Sequence, residues 1–136
     1  MLDLIKQQFA FDGADPSQYS PLALAFVGDA VYGMVAKTVV ALEGNCPADK
    51  LNGKAVRYVK AVSQSKAADR LVENDLLTEE ELAIYRRGRN AKSPTSAKNA
   101  PVGDYRKATG LEALIGWLYL RGDMERVVEI MKTVMS

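Results

Sequence analysis

Leu22-Ala23-Leu24-Ala25-Phe26-Val27-Gly28-Asp29-Ala30-Val31-Tyr32 is the stretch on which the fold turns. Ser20-Pro21 ahead of it is a helix start, because Ser can cap free N–H groups and Pro suits the first helical position. The apolar run continues to about Leu42 and stops at Gly44. From Leu22 to Ala36 the only charge is Asp29. That is somewhat short for a membrane span, and the acid sits at its centre. The segment reads as a helix buried in a domain core.

Helices are also expected on either side. Residues 1–10 read as a short amphipathic helix, and Asp12-Gly13-Ala14-Asp15-Pro16 as a loop. A second long helix should run from near Pro47 to about Glu73, with Leu51, Ala55, Tyr58, Val59 and Val62 on its apolar stripe. Lys50, Lys54, Arg57 and Lys60 fall on the opposite arc and form one solvent-facing ridge. Thr78-Glu79-Glu80-Glu81 is a capping box for a helix to about Arg87. Gly88 to about Asp104 reads as a long irregular stretch, of the kind that is often functional. A helix follows to Leu120, Gly122-Asp123 breaks the chain, and Met124–Met135 closes it. No segment alternates as a strand does. The class is all-α, a compact bundle of about six helices in a single domain over residues 1–136.

Composition narrows the chemistry. The 136 residues include no His, which excludes Ser-His-Asp and Cys-His nucleophiles, an imidazole base and His-ligated zinc. The single Cys46 excludes an internal disulfide and any multi-cysteine metal site. The net charge of +1 conceals an asymmetry. Residues 50–70 carry a net +5 and residues 85–107 a net +6, against −10 for the remainder. Such stretches are either solvated faces or the footprint of a polyanion. The N-terminus lacks a basic region and a cleavage site, so a cytoplasmic protein with no membrane partner is expected.

Asp29 and Glu112 are each the lone acid of an apolar helix, the second in Gly110-Leu111-Glu112-Ala113-Leu114-Ile115-Gly116. Both are expected to be buried, and a buried carboxylate needs compensation. Two readings stand: each acid caps a helix or meets a distant Arg, or the two share a divalent cation such as Mg²⁺. Gly28, Gly33, Gly110 and Gly116 would let the two helices approach closely. A cation there would activate water without any His.

Phe26-Val27-Gly28-Asp29-Ala30-Val31 resembles the signature helix of the ribonuclease III family, and Gly110–Gly116 resembles its second acidic motif. Arg87-Gly88-Arg89-Asn90-Ala91-Lys92-Ser93 is similar to the loop that precedes that motif. Tyr85–Ser93 and Tyr105–Gly110 are similar to the shortened bacterial branch of the family, the Mini branch, which lacks a double-stranded-RNA-binding domain. The resemblance covers nearly the whole chain.

It implies the all-α ribonuclease III endonuclease domain, acting as a homodimer with one site per strand. It implies Mg²⁺-dependent hydrolysis of double-stranded RNA to 5′-phosphate and 3′-hydroxyl ends, and maturation of 23S ribosomal RNA precursor. The family's essential acids map to Asp29 and Glu112, as catalytic and metal-binding residues, and its interface plug to Phe26. Longer family members carry further acids where this chain has Leu22, Ala25 and Thr109, so a two-acid site per subunit is expected. Lys50, Lys54, Arg57 and Lys60 would track phosphates. The Arg86–Lys98 segment, with Arg86, Arg87, Arg89, Asn90, Lys92 and Lys98, would reach a neighbouring groove. A ribosomal protein or pre-ribosomal particle is a further candidate partner. The residues alone leave Phe26 readable as core. Trp117, Tyr119 and Tyr32 read as core packing, and Tyr105 fits either base stacking or packing. The alternative function is a catalytically silent module of this family that binds structured RNA.

Overall fold

The structure is a computed structural model describing residues 1–92 and 101–136. Its helices are α1 (Leu2–Gln8), α2 (Pro21–Glu43), α3 (Ala48–Val59), α4 (Ala61–Glu73), α5 (Glu79–Asn90), α6 (Val102–Leu120) and α7 (Met124–Val134), with a 3-10 turn at Pro16–Gln18. There is no strand among the described residues, as the sequence implies. Among the described residues there are seven α-helices, against the expected six or so.

α6 is the axis. Residues 108–111 and 113–119 of it are all buried, so this part of the helix must be walled in on several sides. α2, α4 and α5 do this, and α7 closes the end. Trp117, Leu111, Leu114, Ile115 and Leu118 fill the centre with Tyr32, Leu24, Leu71, Ile130 and Met131. Tyr32 and Tyr119 are buried with Trp117, so all three are core residues. Burying each large side chain contributes about 1.5–3 kcal/mol. Polar tips find partners: Trp117 Nε1 donates to Ser17 Oγ at 3.2 Å, and the Tyr32 hydroxyl donates to the Tyr58 carbonyl at 2.6 Å.

Local punctuation forms where the residues dictate it. Ser20 Oγ accepts from the Ala23 N–H, and Pro21 opens α2. The Thr78 and Glu81 side chains exchange bonds with each other's backbone N–H groups. Glu81 is then gripped by Arg126 of α7 through two bonds of 2.8 Å. Burial pushes the Glu81 carboxyl up, but the bonds from Arg126 and Thr78 outweigh it and hold it below the ordinary carboxylate range.

Three expectations need correction. The helix expected over residues 47–73 is two helices, because Lys60 leaves helical geometry with ψ 142°. α3 can then lie on α2 while α4 turns onto α6. The irregular stretch is shorter than Gly88–Asp104, since α5 runs on to Asn90 and α6 begins at Val102. Finally, α2 has 23 residues and holds an 18-residue stretch of mean hydropathy 1.5, long and apolar enough to cross a membrane. Here one face of it packs on α6 instead.

Candidate active site

The site is set by a backbone contact. A methyl group added at Gly28 would overlap the Glu112 carbonyl oxygen and sit 2.8 Å from the Gly116 nitrogen. One added at Gly116 would overlap the Leu24 carbonyl and sit 2.9 Å from the Gly28 nitrogen. Only glycine permits such an approach. α2 and α6 therefore touch at the level of Glu112, and Asp29 is the residue after Gly28. Of the four glycines expected to serve this contact, Gly28 and Gly116 do. Gly110 instead faces α5, where its added methyl would meet the Tyr85 carbonyl at 2.7 Å. Gly33 faces open space.

The two acids meet. The Asp29 and Glu112 carboxyls lie within hydrogen-bonding reach of each other. Their surroundings differ from the expectation that both are buried: Glu112 is half-buried, but Asp29 is exposed. α2 buries one side only, and Asp29 stands at the rim of its open side. Burial pushes the Glu112 carboxyl up to about 8, with a hydrogen bond and charge repulsion from Asp29 adding to it. The Gln64 amide, donating to Glu112 Oε2 at 3.5 Å, acts in the opposite sense. Among the described residues, no Lys or Arg forms an ion pair with either acid.

This donor set fits a divalent cation. It offers two neighbouring carboxyl groups, one open to solvent, with no ion-paired Lys or Arg among the described residues to compete. Among the described residues there is no group of three or more acid, His or Cys side chains that could hold a metal. The remaining positions of an octahedral shell would fall to water and phosphate oxygens, as hard cations accept. At the three positions expected to lack further acids, Leu22 is half-buried, Ala25 is buried, and the Thr109 hydroxyl bonds back to the Tyr105 carbonyl at 3.0 Å.

The proposed RNA contacts divide. Lys50, Lys54 and Arg57 are exposed on α3, and Lys60 is exposed at the junction rather than on the same helix. Arg86, Asn90 and Lys92 are exposed on and beyond α5. Arg89 is half-buried, 5.8 Å from the Tyr85 ring, with its Nε on Asn90 at 3.2 Å. Arg87 reaches the Ser17 and Tyr19 carbonyls at 3.5 and 3.3 Å, so it ties α5 to the 3-10 turn. Lys98 lies outside the described residues. Phe26 is 80% exposed, and on this chain it is not core.

Sequence reasoning missed the α4–α6 seam. Besides Gln64 on Glu112, Ser65 Oγ donates to Asp104 Oδ1 at 2.7 Å, and Lys107 pairs with Asp69 at 2.9 Å. Lys107 therefore spends part of the basic charge counted over residues 85–107. No sequence signal marks these residues, because the seam exists only once Lys60 turns the chain.

Comparison with known proteins bears on all of this. Residues 22–123 match the family model described as Ribonuclease III domain. The chain is 49% identical over 113 residues to the Mini-ribonuclease 3 of Thermoanaerobacter sp., covering 83% of this chain and 78% of that one. It is 44% identical to the Mini-ribonuclease 3 of Clostridium tetani, covering 93% and 83%. It is 40% identical to that of Staphylococcus aureus, covering 86% and 87%. A crystal structure of a Fusobacterium nucleatum protein superposes with a TM-score of 0.77 at 32% identity, over 87% of this chain and 93% of that one. With Gly28-Asp29 and Glu112 placed on the two helices that touch, the chain belongs to the ribonuclease III family of endoribonucleases.

Proposed function

We propose that Asp29 and Glu112 hold Mg²⁺ in this endoribonuclease, and that its substrate is the 23S ribosomal RNA precursor, whose ends it matures in the cytoplasm. Ribonuclease III enzymes act on double-stranded RNA, generally use a divalent metal and are typically dimeric. The observation that carries the reading is the meeting of Asp29 and Glu112 at the Gly28–Gly116 contact. The Mini-ribonuclease 3 relatives support it.

When bound, Mg²⁺ supplies water activation and polarisation of a phosphoryl oxygen. The chain's own residues do the rest. Asp29 presents its carboxylate from the exposed rim, where a phosphodiester can approach. Glu112 backs it from the half-buried side, and the rigid α2–α6 contact fixes their spacing. Lys50, Lys54, Arg57 and Lys60 hold phosphates on one side, and Arg86, Asn90, Lys92 and Lys98 hold them on another. Arg87 and Arg89 assist through the shape of the α5 end. Phe26, Ala30 and Met34 form a spaced apolar stripe on the outer side of α2. In the homodimer Phe26 enters the partner subunit. A ribosomal protein or pre-ribosomal particle presents the precursor stem.

Cleavage of a long RNA duplex with Mg²⁺ tests the pair. Asp29→Asn should lower the rate about a thousandfold, since a cation contributes several kcal/mol to the transition state and about 1.4 kcal/mol is tenfold. Equal cleavage by variant and wild type would remove Asp29 from the site. End-mapping of products from precursor 23S RNA tests the substrate: a cut at neither mature end would leave a duplex nuclease with a different target.

A further inference from the structure

We propose that Gln64 is the positioning residue of the acid pair, holding the Glu112 carboxyl beside Asp29 without placing a competing charge there. This rests on the reading of Asp29 and Glu112 as the cation-binding pair. Gln64 is 2% exposed, on the first turn of α4. A buried amide is costly unless it is bonded. Its Nε2 donates to Glu112 Oε2 across 48 residues of sequence. That leaves the other carboxylate oxygen, Oε1, for Asp29's side or a cation.

The residue type matters. A Lys or Arg at this place would form an ion pair with Glu112 and compete with a cation. An apolar residue would leave the carboxylate free to swing, with no donor on its inner side. A neutral amide donates one bond and adds no charge that would compete with a cation. Partners of this kind orient a ligand, and their loss typically costs about 10–100-fold in metal affinity or activity. The turn at Lys60 is what brings Gln64 here: the Gln64 N–H bonds the Lys60 carbonyl at 2.9 Å in the first turn of α4. The neighbouring Ser65–Asp104 bond of 2.7 Å pins the same turn to α6.

The test uses Gln64→Met, close in shape, and Gln64→Leu as a second variant. Mn²⁺ is titrated calorimetrically into each RNA-free protein, and duplex cleavage with Mg²⁺ is measured beside it. The expected result is Mn²⁺ binding about tenfold weaker, kcat lower by about tenfold or more, and KM for duplex within twofold of wild type. The melting temperature should stay within a few degrees of wild type for at least one variant. Wild-type Mn²⁺ affinity and kcat in a folded variant would overturn the proposal. So would collapse of both variants, which would make the amide a support of the fold. Glu112→Gln runs alongside. If it binds Mn²⁺ and cleaves as wild type does, the acid-pair reading itself fails. If Glu112→Gln is inactive while Gln64→Met is unchanged, only the role of Gln64 falls.

Discussion

Glu112 carries its proton to unusually high pH, because burial and the neighbouring Asp29 carboxyl both oppose ionisation. The folded protein therefore holds a proton between about pH 4.5 and about 8 that the unfolded chain has lost. Unfolding free energy must fall as pH rises through that window. In chelator, the melting temperature of wild type should drop relative to Glu112→Gln between pH 5 and pH 8 in a differential scanning experiment. The difference should amount to several degrees, at about 3 °C per kcal/mol for a domain of this size. A constant difference across the window would mean that Glu112 ionises normally. The two acids themselves were legible in the sequence, since each stands alone among apolar residues. The exposure of Asp29 was not legible. Apolar neighbours such as Phe26 and Ala30 signal burial, yet here they line the outer side of α2. Gln64 was invisible for another reason: a glutamine among Ser63, Ser65 and Lys66 looks like any solvated residue.

Helix ends show the same division. Ser20-Pro21, Thr78 with Glu81, and Gly122-Asp123 are local signals whose bonds close within a few residues, so they were readable. The turn at Lys60 has no Gly or Pro beside it. It arises because α3 and α4 bury against different helices, and that demand is tertiary. The glycine contact was half readable. Small residues in apolar helices announce close packing but not the partner, and Gly110 proved to serve α5 rather than α2. Packing at Gly28 can be checked directly. Gly28→Ala forces a methyl onto the Glu112 backbone, which cannot step aside as a side chain can. It should destabilise the protein by about 3 kcal/mol or more, at the upper end for overpacking, in urea unfolding. A loss below about 1 kcal/mol would show that the two helices separate cheaply.

For the molecule as a whole, charge and exposed apolar surface are the large-scale features. The exposed cations of α3 stand in a short row, and a duplex bound along them would release counterions. Each of Lys50→Ala, Lys54→Ala and Arg57→Ala should reduce the slope of log affinity against log salt by about one. Unchanged slopes would place the duplex elsewhere. Phe26, exposed at 80%, is a large apolar surface that a monomer gains nothing by displaying. Phe26→Ala should shift sedimentation from dimer toward monomer with little change in the helical signal.

The Gly28–Gly116 contact joins the spacing of the two acids to the centre of the core. Both residues of the pair stand within helices rather than on loops. Parting α2 from α6 on heating would separate the backbones that carry Asp29 and Glu112, and it would open the centre of the core. Catalysis in this chain thus behaves as a gauge of its fold: residual activity and residual native structure should vanish together on warming, with no folded but inactive form between them.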